Sequence, residues 1–484
     1  MASSSGGPML LNSINSSGIV KDGEYIANLF IEAIENVGSN NVVQVITDNV
    51  SNMKLAGSIV EKKYPHIFWT PCVVHCLNLA LKNMCQPSEK SPHFTNCKWI
   101  LELLSDVSNL KNLVVNHDLA HALFKKYSNL CLLKVGETRF ASHIIMTTRI
   151  RKVKSSLEKM VMDDEWKNYK GDKGIEAKTR EIKSLIMNDE KWDSIDYFLK
   201  FTEPIVDMLR SADIDGPKLH LIYDMWDSMI EKVKKVIFEH EGKDLISGQS
   251  IFFDTIHDIL VARWNKSNTP LHCMAHSLVP KYYHESWLQG DNGIRKLAPN
   301  EDSEISLNRV KCFQRYFKDS NEMKQVSLEY GSFCSGSGYF SEPHVIEAMI
   351  YEDSLSWWVN HGVSAPLIQQ LAYKLLTQPA SSSCCERNWS TYSLIHNIKR
   401  NKLATSRAED LVFVHYNLQL LSRKKEKYIN GPSKYWDVDR FDIDETTNDL
   451  TELSKDEPQI EGVIFEEEFE DLEEVEEDAE EIAT

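Results

Sequence analysis

The sequence lacks the marks of several common protein classes. Its ten cysteines, at 72, 76, 85, 97, 131, 273, 312, 334, 384 and 385, include no CxxC spacing and no CxxC followed by HxxxH. This argues against a zinc-finger module. Scattered over 484 residues, the thiols read as reduced and intracellular rather than as a disulfide framework. No run of 18 apolar residues occurs, so no helical membrane span is expected. The start, Met1 to Pro8, is Ser/Gly-rich and uncharged, without the basic and apolar regions of a secretory signal. No Gly-rich phosphate loop of Walker or Rossmann type appears, and no Gly-x-Ser-x-Gly elbow.

Basic charge is missing where acid is densest. From Glu461 to Glu481, 13 of 21 residues are Asp or Glu and none is Lys or Arg. The formal net charge is −18, so those 13 acids leave the rest of the chain near −5. The acidity is that of a tail, expected to be solvated and disordered over residues 431–484. It does not exclude nucleic-acid binding by the body.

A sizeable core is available. The chain is 42% hydrophobic, with 11 Trp, 17 Tyr and 18 Phe, and its length suits two to four domains at roughly 100–200 residues each. Residues 1–8 read as a flexible start. Residues 9–97 alternate strand and helix signals: Met9-Leu10-Leu11, a helix from Asp22, the β-branched run Val42–Ile46, a helix from Ser51 to Tyr64, a strand at His66–Trp69 and a helix from Pro71 to Met84. That order predicts an α/β layer. Residues 98–343 read as a large helical insertion, and residues 344–430 as a second helical region. There Ser406 and Glu409 have the spacing of a capping box. Leu411, Val414, Leu418 and Leu421 then follow at spacings of 3, 4 and 3, a stripe suited to packing against another helix.

The candidate chemistry is modest on spacing alone. Asp48 follows the Val42–Ile46 strand, where α/β sheets gather ligands. A turn or helix-cap role is the simpler reading of that position. Cys72 and His75 have a ligand-like spacing, but they sit in an apolar helix with too few partners for zinc, which favours packing. His272 and His276 lack the Glu of a metalloprotease motif and also read as packing residues. Glu386, in the first turn of a helix, is favoured by the dipole alone. Basic residues cluster at Arg149, Arg151, Lys152 and Lys154, at Lys399, Arg400 and Lys402, and from Arg423 to Lys427. Each cluster suits phosphate contact or a solvated helix face.

Taken together, the segments resemble one family. Val42-Val43-Gln44-Val45-Ile46-Thr47-Asp48-Asn49 carries part of the likeness. So do Tyr64-Pro65-His66-Ile67-Phe68-Trp69-Thr70-Pro71-Cys72-Val73-Val74-His75-Cys76-Leu77-Asn78-Leu79 and Glu137-Thr138-Arg139-Phe140-Ala141-Ser142. Trp357-Trp358, Pro379-Ala380-Ser381-Ser382 and Cys385-Glu386-Arg387-Asn388-Trp389-Ser390 complete it. In order and spacing they look like plant hAT-type transposases and their domesticated relatives, over about residues 9–425.

The resemblance implies an RNase H-like core interrupted by a helical insertion, followed by a C-terminal dimerisation region. The family cuts and rejoins DNA with three carboxylates holding two divalent metals. Asp48 matches the second carboxylate and Glu386 the third, with Mg²⁺ or Mn²⁺ as the cofactor if the site is functional. Cys72 and His75 match the family's Cys-x-x-His helix motif, and Phe140 stands where an aromatic, often Trp, is found. Arg139, Phe140, Arg149, Arg151, Lys152 and Lys154 become the DNA-binding candidates. Trp389, Leu411, Val414, Leu418 and Leu421 become the dimerisation candidates.

The family's first carboxylate, in an Asp-Gly-Trp motif on the first strand, has no counterpart before residue 9, and no BED finger is present. A two-metal site lacking one carboxylate loses a bridging ligand. The expectation is therefore a nuclear, dimerising, transposase-derived protein with weak, salt-dependent DNA binding and no autonomous transposition. Its partners would be a second copy or related hAT-like proteins, with no small-molecule substrate. A residual metal-dependent nuclease or strand-transfer enzyme is the alternative. In a fragment of a longer gene product, the missing strands would lie upstream.

Overall fold

The computed structural model describes residues 1–4, 6–14, 16, 18–132, 141–167, 173–290, 295–386, 388 and 405–422. The basic runs at 399–402 and 423–427, Arg139, Phe140, Trp389 and the acidic tail lie outside the described residues. Packing divides the chain into two compact units. One holds Met1–Val74, Ala212–Asp224 and the described residues from Ser267 onward; the other holds His75–Ser211 and Met225–Lys266. Residues 267–343 join the strand-bearing unit, because their helices bury the same core as Trp357 and Trp358. No described helix is long and apolar enough to cross a membrane.

The local pattern of the first hundred residues forms as the periodicity requires. Helix α1 (Gly23–Val37) starts at Asp22, whose Oδ1 accepts the Tyr25 N–H at 2.8 Å, and it ends at Gly38, whose φ of 89° only glycine adopts freely. Strand β3 (Gln44–Thr47) is followed by α2 (Ser51–Lys63), β4 (Phe68–Pro71) and α3 (Val73–Cys85). The two strands run parallel, with Gln44 opposite Phe68 and Thr47 opposite Pro71. Helices α1 and α2 bury Ile26, Ala27 and Ala56 together, then Ile34, Val60 and Ile67. Gly57 of α2 lies so close to Trp69 that an added Cβ would fall 2.2 Å from its ring, so any side chain there would push the strand off the helix.

The helical regions of the expected fold class are present. The described structure is mostly helical, and its strands form only two two-stranded sheets. The β-α-β-α signal is real, but it yields one parallel pair rather than a multi-stranded RNase H-like layer among the described residues. Residues 2–9 contain the second sheet. In it, β1 (Ala2–Ser4) pairs antiparallel with β2 (Gly7–Met9), Ala2 facing Met9. The amphipathic stretch 144–162 is two helices, Ala141–Lys152 and Lys154–Met162. They break at Val153, whose ψ of 12° leaves the helical basin.

The strand-bearing unit is organised around a tryptophan pair. Trp357 and Trp358 are fully buried and pack edge to face at 5.1 Å. Their indole N–H groups donate to the Val345 carbonyl at 3.1 Å and the Leu278 carbonyl at 2.7 Å, so neither polar tip is left unpaired. Glu329, only 4% exposed, accepts the Leu367 and Ile368 N–H groups at 2.8 and 3.1 Å. It thus caps the Pro366–Leu375 helix from a different helix. The other unit has its own aromatic core, with Trp99 stacked on Tyr197 at 5.7 Å and Phe201 edge-on to Phe252.

Candidate functional site

Two places in the strand-bearing unit carry groups that the chain does not satisfy by itself. The first is the carboxyl end of β3 and β4. The Cys72 N–H donates to the Thr47 carbonyl at 2.7 Å, closing the pair just before Asp48. The segment ahead of Glu386 is laced across the same end. Val73 N–H donates to the Ala380 carbonyl at 3.2 Å, and the Ser382 N–H to Cys72 Sγ at 3.4 Å. A four-residue helix, Ser383–Glu386, starts there. Asp48 and Glu386 are thus both delivered to the carboxyl end of the strand pair.

Asp48 holds an awkward position. Its Oδ1 is buried without a hydrogen-bond partner. Burial pushes its carboxyl above the usual range, and a hydrogen bond from the Val50 backbone only partly opposes this. Helix α2 starts at Val50 with no side-chain cap. Asp48 therefore does not cap α2, although its bond to Val50 is that of a turn. Among the described residues, no group of three or more His, Cys, Asp or Glu side chains is placed to hold a metal. The described side chains alone do not make the two-metal cage that the resemblance implies.

The remaining sequence candidates separate. Cys72 is fully buried. His75 is held neutral, its pKa pushed down to about 4 by burial and by the nearby charges of Arg263 and Lys82. Both belong to packing. His272 and His276 are buried in the Pro270–Ser277 helix, where His272 Nδ1 completes a capping box with Thr269. The basic cluster is largely used within the fold. Arg149 is 5% exposed, and Arg151 forms a bidentate pair with Asp196. Lys154 lies 3.5 Å from Asp189 and over the Trp192 ring. Of the four, Lys152 is the exposed one.

The second place is the helix Thr405–Ser422. It is apolar on two sides. Val412, Tyr416 and Leu420 are buried, spaced four apart, and pack with Leu10 and Met1. Leu411, Val414, Leu418 and Leu421 point away, at 45%, 53%, 62% and 58% exposure. The 3-4-3 stripe read from the sequence is thus an outward face among the described residues. The sequence reading missed the inner partner. Leu10, 407 residues distant, was visible only as one residue of a short apolar run.

Comparison with known proteins bears on this helix. Residues 336–418 match the family model described as the hAT family C-terminal dimerisation region. The carboxyl-terminal region is similar to the hAT dimerisation region. Residues 1–110 match a second model, a domain of unknown function (DUF659). The chain is also 22% identical over 444 residues to a candidate transcriptional regulator, tpeD, of Talaromyces stipitatus, covering 81% of this chain and 47% of that protein. It therefore spans about half the length of that relative. Leu411, Val414 and Leu418 lie inside the hAT match, and Leu421 lies just beyond it in the same helix.

Proposed function

We propose that this is an hAT-transposase-derived protein that works as a self-associating module, pairing two copies through the outward stripe of the Thr405–Ser422 helix. One observation carries the reading. Four large apolar side chains stand exposed at heptad spacing on a helix that overlaps the segment similar to the hAT dimerisation region, three of them inside it. Burying one such side chain is worth about 1.5–3 kcal/mol, and association costs at least about 4 kcal/mol. Each is already about half buried and gains less than the full amount, but four per copy, eight in a twofold pair, together offset that cost. The 3-4-3 spacing matches the a and d positions of a two-helix seam.

Light scattering on the full chain and on Leu411→Asp/Leu418→Asp tests this directly. The expected result is a dimer that becomes a monomer with unchanged far-UV circular dichroism. A folded variant that stays dimeric would refute the reading.

DNA binding and nuclear residence belong to the same proposal as secondary features. They are supported by the hAT likeness and by the relative named as a transcriptional regulator. Because Arg149, Arg151 and Lys154 are engaged within the fold, this cluster leaves few cations for phosphates, and its salt dependence should be shallow. Each phosphate contact contributes about −0.9 to the slope of log K against log salt. Titration of a fluorescent duplex across salt concentrations should give a slope of about −2 to −4. A slope near −8 would mean that a large basic surface is at work after all.

A further inference from the structure

The outward stripe faces solvent because something else occupies the opposite side of its helix. We infer that the first strand pair and Leu10 are part of the self-association surface. They act as a clamp that decides which apolar face of the Thr405–Ser422 helix is presented to a second copy. This rests on the reading above.

A helix apolar on two sides has no intrinsic orientation. Rotating it by about 180°, half a turn, exchanges one stripe for the other. In this chain the choice is made by Leu10, at 3% exposure, seated on Val412, Tyr416 and Leu420. A directional lock accompanies that packing. The Leu10 N–H donates to Asn417 Oδ1 at 2.9 Å, and Asn417 Nδ2 donates to the Leu10 carbonyl at 3.1 Å.

The two bonds reproduce one rung of a strand ladder. They satisfy the donor and the acceptor of the residue immediately after β2, so the chain at Leu10 cannot slide along the helix without breaking both. Only a side-chain amide offers donor and acceptor in this arrangement; Asp lacks the donor and Leu lacks both. Asn417 stands between the inner residue Tyr416 and the outer residue Leu418. From the other side, the Tyr416 hydroxyl donates to the Cys384 carbonyl, tying the same helix to the turn that carries Glu386. Helix orientation is therefore fixed from both ends of the sequence.

The test is sedimentation equilibrium on the full chain carrying Leu10→Ala, Asn417→Leu or both, with circular dichroism on the same samples. Neither residue belongs to the outward stripe. Each single variant should raise the dimer dissociation constant about tenfold, the equivalent of one hydrogen bond or a small cavity. The double variant should fall well short of the product of the two, because both remove one clamp.

Unchanged dimer affinity in both single variants, with Leu411→Asp/Leu418→Asp still dissociating the dimer, overturns the clamp and leaves the interface intact. A dimer that survives Leu411→Asp/Leu418→Asp overturns the interface reading instead. Hydrogen exchange on the unmodified protein gives a readout that needs no variant. The Leu10 amide should be protected to the level of the Val412 and Tyr416 amides, and exchange at a free-loop rate contradicts the clamp.

Discussion

At the end of β3 a polar atom is buried with nothing to bond, while along the Thr405–Ser422 helix apolar side chains are exposed with nothing to pack on. The two anomalies have opposite remedies. Asp48 needs a cation, a proton or a water-sized donor, and the described side chains do not gather a metal-binding set around it. The helix needs a second apolar face, and a second copy supplies one by symmetry. The contrast shows why likeness to a transposase does not make every shared residue equally informative. An acid at a strand end can persist as an unpaired group at a cost of about 1–3 kcal/mol. Four exposed apolar residues at heptad spacing describe the surface of a partner.

The largest expected effect tests whether burial, rather than ligand chemistry, governs the ionisable groups of the strand-bearing unit. Burial holds His272 and His220 down at about 4 and His276 down at about 3, with His220 adding to the effect on His276. The unfolded chain takes up these protons near 6.5, so their stabilising contribution is complete above that pH and is lost as the pH falls toward 4. At about 1.4 kcal/mol per pH unit, each histidine is worth about 3 kcal/mol. Thermal unfolding midpoints should drop steeply between pH 6.5 and 4. A midpoint that stays level over that range would contradict the account.

A smaller effect compares two carboxylates of the same unit. Glu329 is buried with its partners in place, whereas Asp48 Oδ1 is buried without one. Glu329→Ala should therefore cost about 2–4 kcal/mol, because it uncaps the Pro366–Leu375 helix and opens a cavity. Asp48→Asn should instead gain about 1 kcal/mol at neutral pH. The sign follows from its raised pKa. Between the unfolded and folded values the native state holds the extra proton, so the charged form at neutral pH weakens the fold and the benefit of asparagine disappears in acid. Denaturant midpoints of the two variants moving in the same direction would remove the distinction between these sites.

Much of the local structure was legible. The Asp22 cap, the β-branched run of β3 and the helical periodicity of α1, α2 and α3 depend on neighbours within a few residues, and they form close to where the pattern places them. The outward stripe was legible for the same reason. What escaped is what depends on distant pairing. A Ser/Gly-rich start carries no periodicity, yet β1 and β2 form and deliver Leu10 to a helix 407 residues away. Glu329 caps a helix 38 residues downstream, and no local motif encodes that. Alternating strand and helix signals do not say how many strands pair, and the described residues hold one parallel pair there.

The central claim is that one helix has an inner face filled by the chain itself and an outer face filled by a second copy. Hydroxyl-radical footprinting across a dilution series reads both faces in one experiment. The account predicts that Val412, Tyr416 and Leu420 are protected at every concentration. Leu411, Val414, Leu418 and Leu421 should become protected only as the protein associates. Equal reactivity of the outer four at all concentrations, or protection of both sets in the dilute monomer, would contradict it.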